Sequence, residues 1–177
     1  RLGRAFLIYA AMLWIALDLL RPRETSAGSG RHRRFAAILV ALVFVMVLSG
    51  GLVAGTRAGL AYNTFPLMNG RIVPPEMFAI DPWYLNFFSN MATVQFDHRL
   101  IAWLLAFLVP WFWLRVRRGE APPQARLGAD LLLAALVLQI AVGIATLLLV
   151  VPVPLAAAHQ AGALLVFSAA LFAAHSL

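Results

Sequence analysis

The sequence contains no cysteine and no lysine, and it has few acidic residues. Without cysteine, the chain can form no disulfide, iron–sulfur cluster or thiolate-bound metal site of its own. Its fourteen basic residues are all arginine, its acidic residues number seven, and the formal net charge is +7. A basic chain can bind nucleic acid. Here the arginines cluster between apolar runs, so membrane topology explains them better and no nucleic-acid partner is expected.

Apolar residues are in large excess, at 63% of 177 residues with a mean hydropathy of +0.87. Soluble domains usually contain about 45–50% apolar residues. Five apolar runs each approach the roughly 20 residues that a helix needs to cross a bilayer, and helices pair their own backbone groups in lipid. We therefore predict an all-α, polytopic membrane protein with five transmembrane helices. The runs are residues 5–20, 35–55, 100–114 (extended backwards through 90–99), 131–151 and 155–177.

The placement of arginine predicts the orientation of these helices. The loop at residues 21–34 contains five arginines and the segment 115–130 contains four, whereas the forty residues 56–95 contain only Arg57 and Arg71. By the positive-inside rule the Arg-rich segments are cytoplasmic, so residues 56–95 lie outside. The location we expect is a bacterial inner membrane. We call residues 56–95 the outer loop. Its aromatic stretch "DPWYLNFFSNMATVQ" predicts a short interfacial helix or re-entrant segment over the bundle.

Two histidines lie near the periplasmic ends of the third and fifth predicted helices. His98 opens the third helix, and His159 lies in "AAAHQAGA" of the fifth. Ionisable groups in transmembrane segments usually face the bundle interior and mark a site, and two neutral imidazoles at matched depth can ligate one haem iron. Taken singly, His98 fits an interfacial hydrogen-bonding role and His159 an interhelical one equally well. For His32 and His175 we expect solvated or interfacial positions without a ligand.

Small and polar residues near the pair predict room for a flat macrocycle. Gly51 and Gly55 have the small-xxx-small spacing that lets another group approach the second helix closely. Gln139, Gly143 and Thr146 share one face of the fourth helix. Both sets are expected to face the interior of the bundle.

Charged residues on the outer side are candidates for contacts with haem. Guanidinium groups suit paired carboxylates, so Arg99, Arg57 and Arg71 are the candidates for binding the two propionates. Asp97 could orient an imidazole or pair with Arg99, because groups of this kind set the tautomer of a histidine ligand.

Three segments together resemble the C-terminal half of heme A synthase, over most of residues 36–175. They are "GLVAGTRAGLAYNTFPLMNGRIVPP", "NFFSNMATVQFDHRLIAWLL" and "AAAHQAGALLVF". The resemblance implies an oxidoreductase that oxidises a methyl group of haem O to the formyl group of haem A for terminal oxidases. Members of this family are eight-helix proteins built as two similar four-helix bundles, each with a pair of histidines in haem-ligand positions.

The resemblance also implies a division of the chain. Residues 1–20 would be the last helix of a preceding N-terminal bundle, and residues 21–34 the cytoplasmic loop. Residues 35–177 would form a C-terminal four-helix bundle that binds haem b through His98 and His159, which ligate its iron, and relays electrons.

The chemistry itself is expected outside this chain. The family is thought to hold haem O, with a catalytic acidic residue, in the N-terminal half. There a histidine precedes a stretch like "LGRAFLIYAAMLW", whereas Arg1 stands at that position here. The chain is therefore expected to be a fragment cut at this point, or to have lost that site.

Two other functions share parts of this pattern. A membrane b-type cytochrome that only carries electrons would have the histidine pair but no reason for the "YNTFPLMNGR" loop. A structural or transport subunit with incidental histidines would bind no haem. The partners expected are the lipid bilayer, haem O as substrate of the whole enzyme, and haem O synthase or oxidase assembly proteins, with a homo-oligomer left open.

Overall fold

A computed structural model describes residues 1–21 and 30–177. Most of these residues are helical, and five of their helices are long and apolar enough to cross a membrane. The predicted all-α fold with five candidate membrane spans is therefore confirmed. The helices are α1 (Leu2–Leu20), α2 (Gly30–Thr56), α3 (Asn86–Ser89), α4 (Met91–Arg118), α5 (Pro123–Leu148) and α6 (Val153–His175).

The helices extend further than the apolar runs at their Arg-rich ends. α2 begins at Gly30, so His32 lies in its first turn and is partly exposed. α4 continues to Arg118 and α5 begins at Pro123, which shortens the expected connection at 115–130 to four residues. Arginine is a good helix former and its charge suits a helix C-terminus, while proline is favourable at a first helical position. A charged residue therefore ends an apolar run in the sequence, but the helix itself continues through it.

Four of the long helices surround a common core. α2 packs on α4 and α6, and α5 packs on the same two helices, so α4 and α6 lie diagonally opposite each other. α1 lies outside this group and packs on α6 and α2. The large side chains of the main buried cluster lie in the central and Arg-rich part of the four helices; they include Leu39, Leu105, Phe112, Leu132 and Phe167. A second, smaller cluster joins Tyr62 and Met68 of the outer loop to Ala92 of α4.

His175 corrects the expectation of a solvated or interfacial side chain. It is 2% exposed near the end of α6, and its Nε2 lies 2.9 Å from Oδ1 of Asp18 on α1. Its ring meets that of Trp14 edge-on at 5.3 Å. Nearer the opposite end of α1, the hydroxyls of Tyr9 and Ser168 are 2.7 Å apart. The expectation was wrong because α1 covers a position that would otherwise face the membrane interface.

We expect Asp18→Ala to lower the free energy of unfolding by about 1–3 kcal/mol, because it leaves the buried imidazole of His175 without this partner. Unfolding in mixed micelles, followed by circular dichroism, measures the change. Met12→Ala is the matched control, since Met12 is an exposed residue of the same helix. Equal stabilities of the two variants would contradict the prediction.

Candidate functional site

The two histidines predicted to act together face each other across the diagonal of the bundle. His98 lies two turns into α4 and His159 nearly two turns into α6. Their ring centres are 6.5 Å apart and their planes are inclined by 73°. With metal–imidazole bonds of about 2 Å, two rings on opposite sides of one metal have centres roughly 6 Å apart. The observed separation is compatible with one metal between the rings.

The donor set around the rings restricts what they can bind. Within the described residues, no group of three or more histidine, cysteine, aspartate or glutamate side chains could hold a metal ion. Structural zinc sites use four protein ligands and catalytic ones use three. Two imidazoles without a third protein ligand instead suit a metal whose other positions are already filled, as in haem.

The ring of His98 is held by a hydrogen bond from the neighbouring helix. The Oγ of Ser49 on α2 is 2.6 Å from His98 Nδ1, and Ser49 is buried. With Nδ1 occupied, Nε2 is the nitrogen left for a metal. Asp97, expected to orient an imidazole or to pair with Arg99, makes no hydrogen bond or ion pair in the described part of the chain. The serine was missed because a lone hydroxyl in an apolar helix carries no signal of its partner.

His159 is held by its backbone and by a close approach to α5. Gln139 Nε2 donates a hydrogen bond to the carbonyl of His159 at 2.7 Å. A Cβ added to Gly143 would lie 2.7 Å from Cε1 of His159, so glycine permits this ring position. Thr146 is buried one turn further along. The prediction that this face of the helix points inward is confirmed, although Nδ1 of His159 has no hydrogen-bond partner.

The glycine that faces His98 is Gly50, which corrects the expectation for Gly51 and Gly55. A Cβ on Gly50 would lie 3.4 Å from Cε1 of His98, whereas one on Gly51 would lie 2.7 Å from a methyl of Leu2 on α1. Gly55 has nothing within 4 Å of a built Cβ. Successive residues of a helix point in directions about 100° apart. A prediction that is wrong by one position therefore selects a residue that faces α1 instead of the interior of the bundle.

Arg99 binds the outer loop through its guanidinium group. It donates hydrogen bonds to the carbonyls of Tyr62 at 3.1 Å, Pro66 at 3.3 Å and Leu67 at 3.5 Å. Nε of Arg99 is buried without a partner. Most of the donor capacity of this side chain is therefore used to hold the loop against α4. Its predicted contact with a propionate stays a prediction.

The other two candidate arginines lie in the outer loop with exposed side chains. Arg57 follows α2 with a left-handed backbone at φ 56°, and the backbone of Arg71 pairs with that of Met68. The structure does not bring either arginine into contact with His98 or His159. Their role toward propionates also stays a prediction.

The outer loop is ordered by buried amide side chains. Its aromatic stretch forms a 3₁₀ turn at Trp83–Leu85 followed by α3, which confirms the expected short helix. Asn86 Nδ2 donates to two loop carbonyls, and Asn90 caps α4 by accepting from two of its backbone N–H groups. Asn63 donates to the carbonyl of Leu147 at the end of α5. The last five residues of the predicted loop, 91–95, belong to α4.

Tyr62 couples the loop to an acidic residue. Its hydroxyl donates a hydrogen bond to the carboxylate of Glu76. Burial, followed by the hydrogen bond and charge of Glu76, raises the pKa of Tyr62 to about 12. The same hydrogen bond is the main cause that lowers the pKa of Glu76. The carbonyl of Tyr62 also accepts from Gln95 at 3.1 Å, one turn before His98.

Comparison with known proteins identifies the family of the chain. The family model described as COX15-CtaA, cytochrome oxidase assembly protein, matches residues 2–171. The chain belongs to this family.

Relatives within the family are heme A synthases, as the sequence resemblance predicted. Heme A synthase of Nitrosospira multiformis is 65% identical over 99% of this chain and 50% of that protein. The corresponding protein of Nitrosomonas eutropha is 54% identical over 99% and 51%. Heme A synthase COX15 of Bos taurus is 41% identical over 99% and 43%. The chain spans about half the length of these relatives, and no solved structure matches it.

Removal of the guanidinium group should loosen the outer loop. We expect Arg99→Ala to speed proteolysis within the loop about fivefold, because a loss of about 1 kcal/mol in local hydrogen bonding raises the opened population by that factor. Arg71→Ala, which removes an exposed arginine from the same loop, should leave the rate unchanged. Limited proteolysis in detergent, with cleavage sites identified by mass spectrometry, tests both; equal rates for the two variants would disprove the role assigned to Arg99.

The outer loop should respond to alkaline pH through Tyr62. Because its folded pKa of about 12 lies above the ordinary value of 10.0, its stabilising contribution is complete below pH 10 and disappears as the pH approaches 12. The difference in tyrosinate absorbance between the wild type and Tyr62→Phe should therefore develop near pH 12. A difference that develops near pH 10 would contradict the assignment.

Proposed function

We propose that this chain is the haem b-binding half of a heme A synthase. The whole enzyme would be an oxidoreductase that converts a methyl group of haem O to the formyl group of haem A. The observation that carries the proposal is the pair of imidazoles, His98 and His159, whose centres are 6.5 Å apart on diagonal helices. The names of the relatives point to the same reaction.

The side chains around the pair fit a haem held between two histidines. His98 and His159 would ligate the iron, and the bound haem would supply one-electron transfer. Gly50 and Gly143 face the two rings without a side chain of their own, which suits a planar group close to the helices. The large side chains of the main buried cluster lie further toward the Arg-rich end of the bundle, so they do not compete for this space.

The loop and the ends of the bundle support an outer location for the haem. The outer loop packs over the histidine end and is fastened to α4 by Arg99 and to α5 by Asn63. Loop residues in this position would shield the site from water. The opposite end carries the arginines that the positive-inside rule assigns to the cytoplasm. In this orientation, the haem lies toward the periplasmic side of a bacterial inner membrane.

The position of α1 supports the division of the enzyme into halves. α1 packs outside the four-helix group and has no buried residue of its own. We assign it to the N-terminal half, which would hold haem O and the catalytic acidic residue. This chain would relay electrons between that half and an acceptor.

Each ligand variant should lose the haem. We expect the purified chain to give a low-spin b-type signal in a reduced-minus-oxidised spectrum, and His98→Ala and His159→Ala each to abolish it. The physical reason is that each variant would leave a single imidazole as the protein ligand of the iron. His32→Ala is the matched control, because it removes a histidine from the other end of the bundle. A folded wild-type chain without the signal would exclude the haem site.

A complementation experiment separates biosynthesis from simple electron transfer. The full-length gene should restore haem A to a strain that lacks its own heme A synthase, and the same gene with His98→Ala should not. Restoration of a bound haem b without any haem A in the membranes would instead identify an electron carrier.

A further inference from the structure

The two imidazoles are held in different ways. His98 has a strong hydrogen bond at Nδ1, to the buried hydroxyl of Ser49 at 2.6 Å. Nδ1 of His159 is buried but has no hydrogen-bond partner among the residues that the structure describes. The ring of His159 is instead confined by the backbone of Gly143, where a Cβ would come within 2.7 Å of it. One ring is therefore held by a hydrogen bond and the other by close packing.

We propose that Ser49 is the positioning residue that holds His98 in the tautomer with a proton on Nδ1 and fixes the plane of its ring, and thereby the steep angle between the two imidazoles. This inference rests on the proposed haem site, since it assigns a role toward the group that His98 would bind. Ser49 itself does not contact the metal.

The tautomer follows from the hydrogen bond. A neutral imidazole carries one N–H, and the nitrogen that binds a metal must be the other one. When Nδ1–H of His98 donates to Oγ of Ser49, the lone pair of Nε2 is free to bind iron. Partners of this kind also increase the basicity of the ligand and fix its orientation. In the other tautomer the proton lies on Nε2, and that nitrogen then has no lone pair for a metal.

The ring plane follows from the same contact. The torsion that turns an imidazole about its Cβ–Cγ bond has a broad energy minimum, so this torsion alone does not keep the ring in one plane. The glycine opposite His98 leaves the ring in ordinary contact, with a built Cβ at 3.4 Å, and so limits it less than Gly143 limits His159. The hydrogen bond to Ser49 is therefore the main restraint on the 73° angle between the planes.

The angle has a spectroscopic signature that a merely structural serine would not change. Steeply inclined imidazole planes give low-spin ferric haem an electron paramagnetic resonance spectrum dominated by one large g value, whereas near-parallel planes give a rhombic spectrum. We expect the wild-type chain to give the first type, and Ser49→Ala to shift toward the second as the ring of His98 becomes free to turn.

Haem retention gives a second readout. Loss of such a partner typically lowers metal affinity 10–100-fold, so we expect Ser49→Ala to transfer haem to excess apomyoglobin about tenfold faster than wild type. Ser49→Thr keeps the hydroxyl and should restore both the spectrum and the slow transfer. Ser168→Ala is the matched control, because it removes a helix hydroxyl that bonds Tyr9 instead of a histidine.

The outcomes separate this inference from the proposed function. If Ser49→Ala keeps the wild-type spectrum and transfer rate, the role of Ser49 is overturned while the haem site stands. If wild-type chain binds no haem, both fail. Should Ser49→Ala be poorly folded, Ser49→Cys keeps a similar volume with a much weaker hydrogen-bonding group, and it should show the same shift; a wild-type spectrum for that variant overturns the inference.

Discussion

Two imidazoles that lie close together across the diagonal of a helix bundle constrain the residues around them. Their 6.5 Å separation is possible because Gly50 and Gly143, on the two remaining helices, present only backbone to the rings. A Cβ at Gly143 would clash with the ring of His159, whereas one at Gly50 would come into ordinary contact with the ring of His98. The large side chains of the main buried cluster lie in the central and Arg-rich part of the bundle. One half of the bundle thus contains the main apolar core, and the other half contains the histidine pair.

At the end of the bundle that contains His98 and His159, the polar side chains mainly form hydrogen bonds with the backbone of the outer loop. A loop near the hydrocarbon boundary must satisfy its carbonyl groups within the protein, because lipid offers no partner. Arg99, Gln95 and Asn63 donate to loop or helix-end carbonyls. Arg99 and Gln95 belong to the helix that carries His98. The position of the outer loop and the position of His98 therefore depend on the same turns of α4.

Sequence patterns predicted the features that depend on composition and period. The number of helices, the depth of the histidine pair and the inward face that contains Gln139 and Gly143 all follow from apolar length, arginine placement and helical spacing. The rotation of α2 about its axis could not be predicted in this way. The stretch "SGGLVAG" contains three glycines, and only the contacts of α2 with other helices show which glycine faces which neighbour. The burial of His175 likewise required knowing that α1 covers α6.

The partners of Arg99 were unpredictable for a related reason. Its hydrogen bonds reach Tyr62, Pro66 and Leu67, more than thirty residues earlier in the chain. The acceptors are backbone carbonyls, which every residue has, so no side-chain pattern marks them. Because Arg99 lies beside a histidine, we predicted an anionic partner for it. The outer loop instead passes close to its guanidinium group, so neutral backbone carbonyls accept its hydrogen bonds.

The attachment of α1 shows how a peripheral helix is fixed in lipid. Apolar contact alone discriminates poorly there, because acyl chains are as apolar as leucine, and close packing and polar contacts decide which faces meet. α1 uses both: Gly51 admits Leu2 at one end, and Asp18 meets His175 at the other. Contacts at both ends specify the rotation of α1 about its axis. The face that it turns away from α6, with Leu7, Met12 and Leu19 exposed, is therefore presented in a defined direction, as the proposed position of α1 between two halves of an enzyme would require.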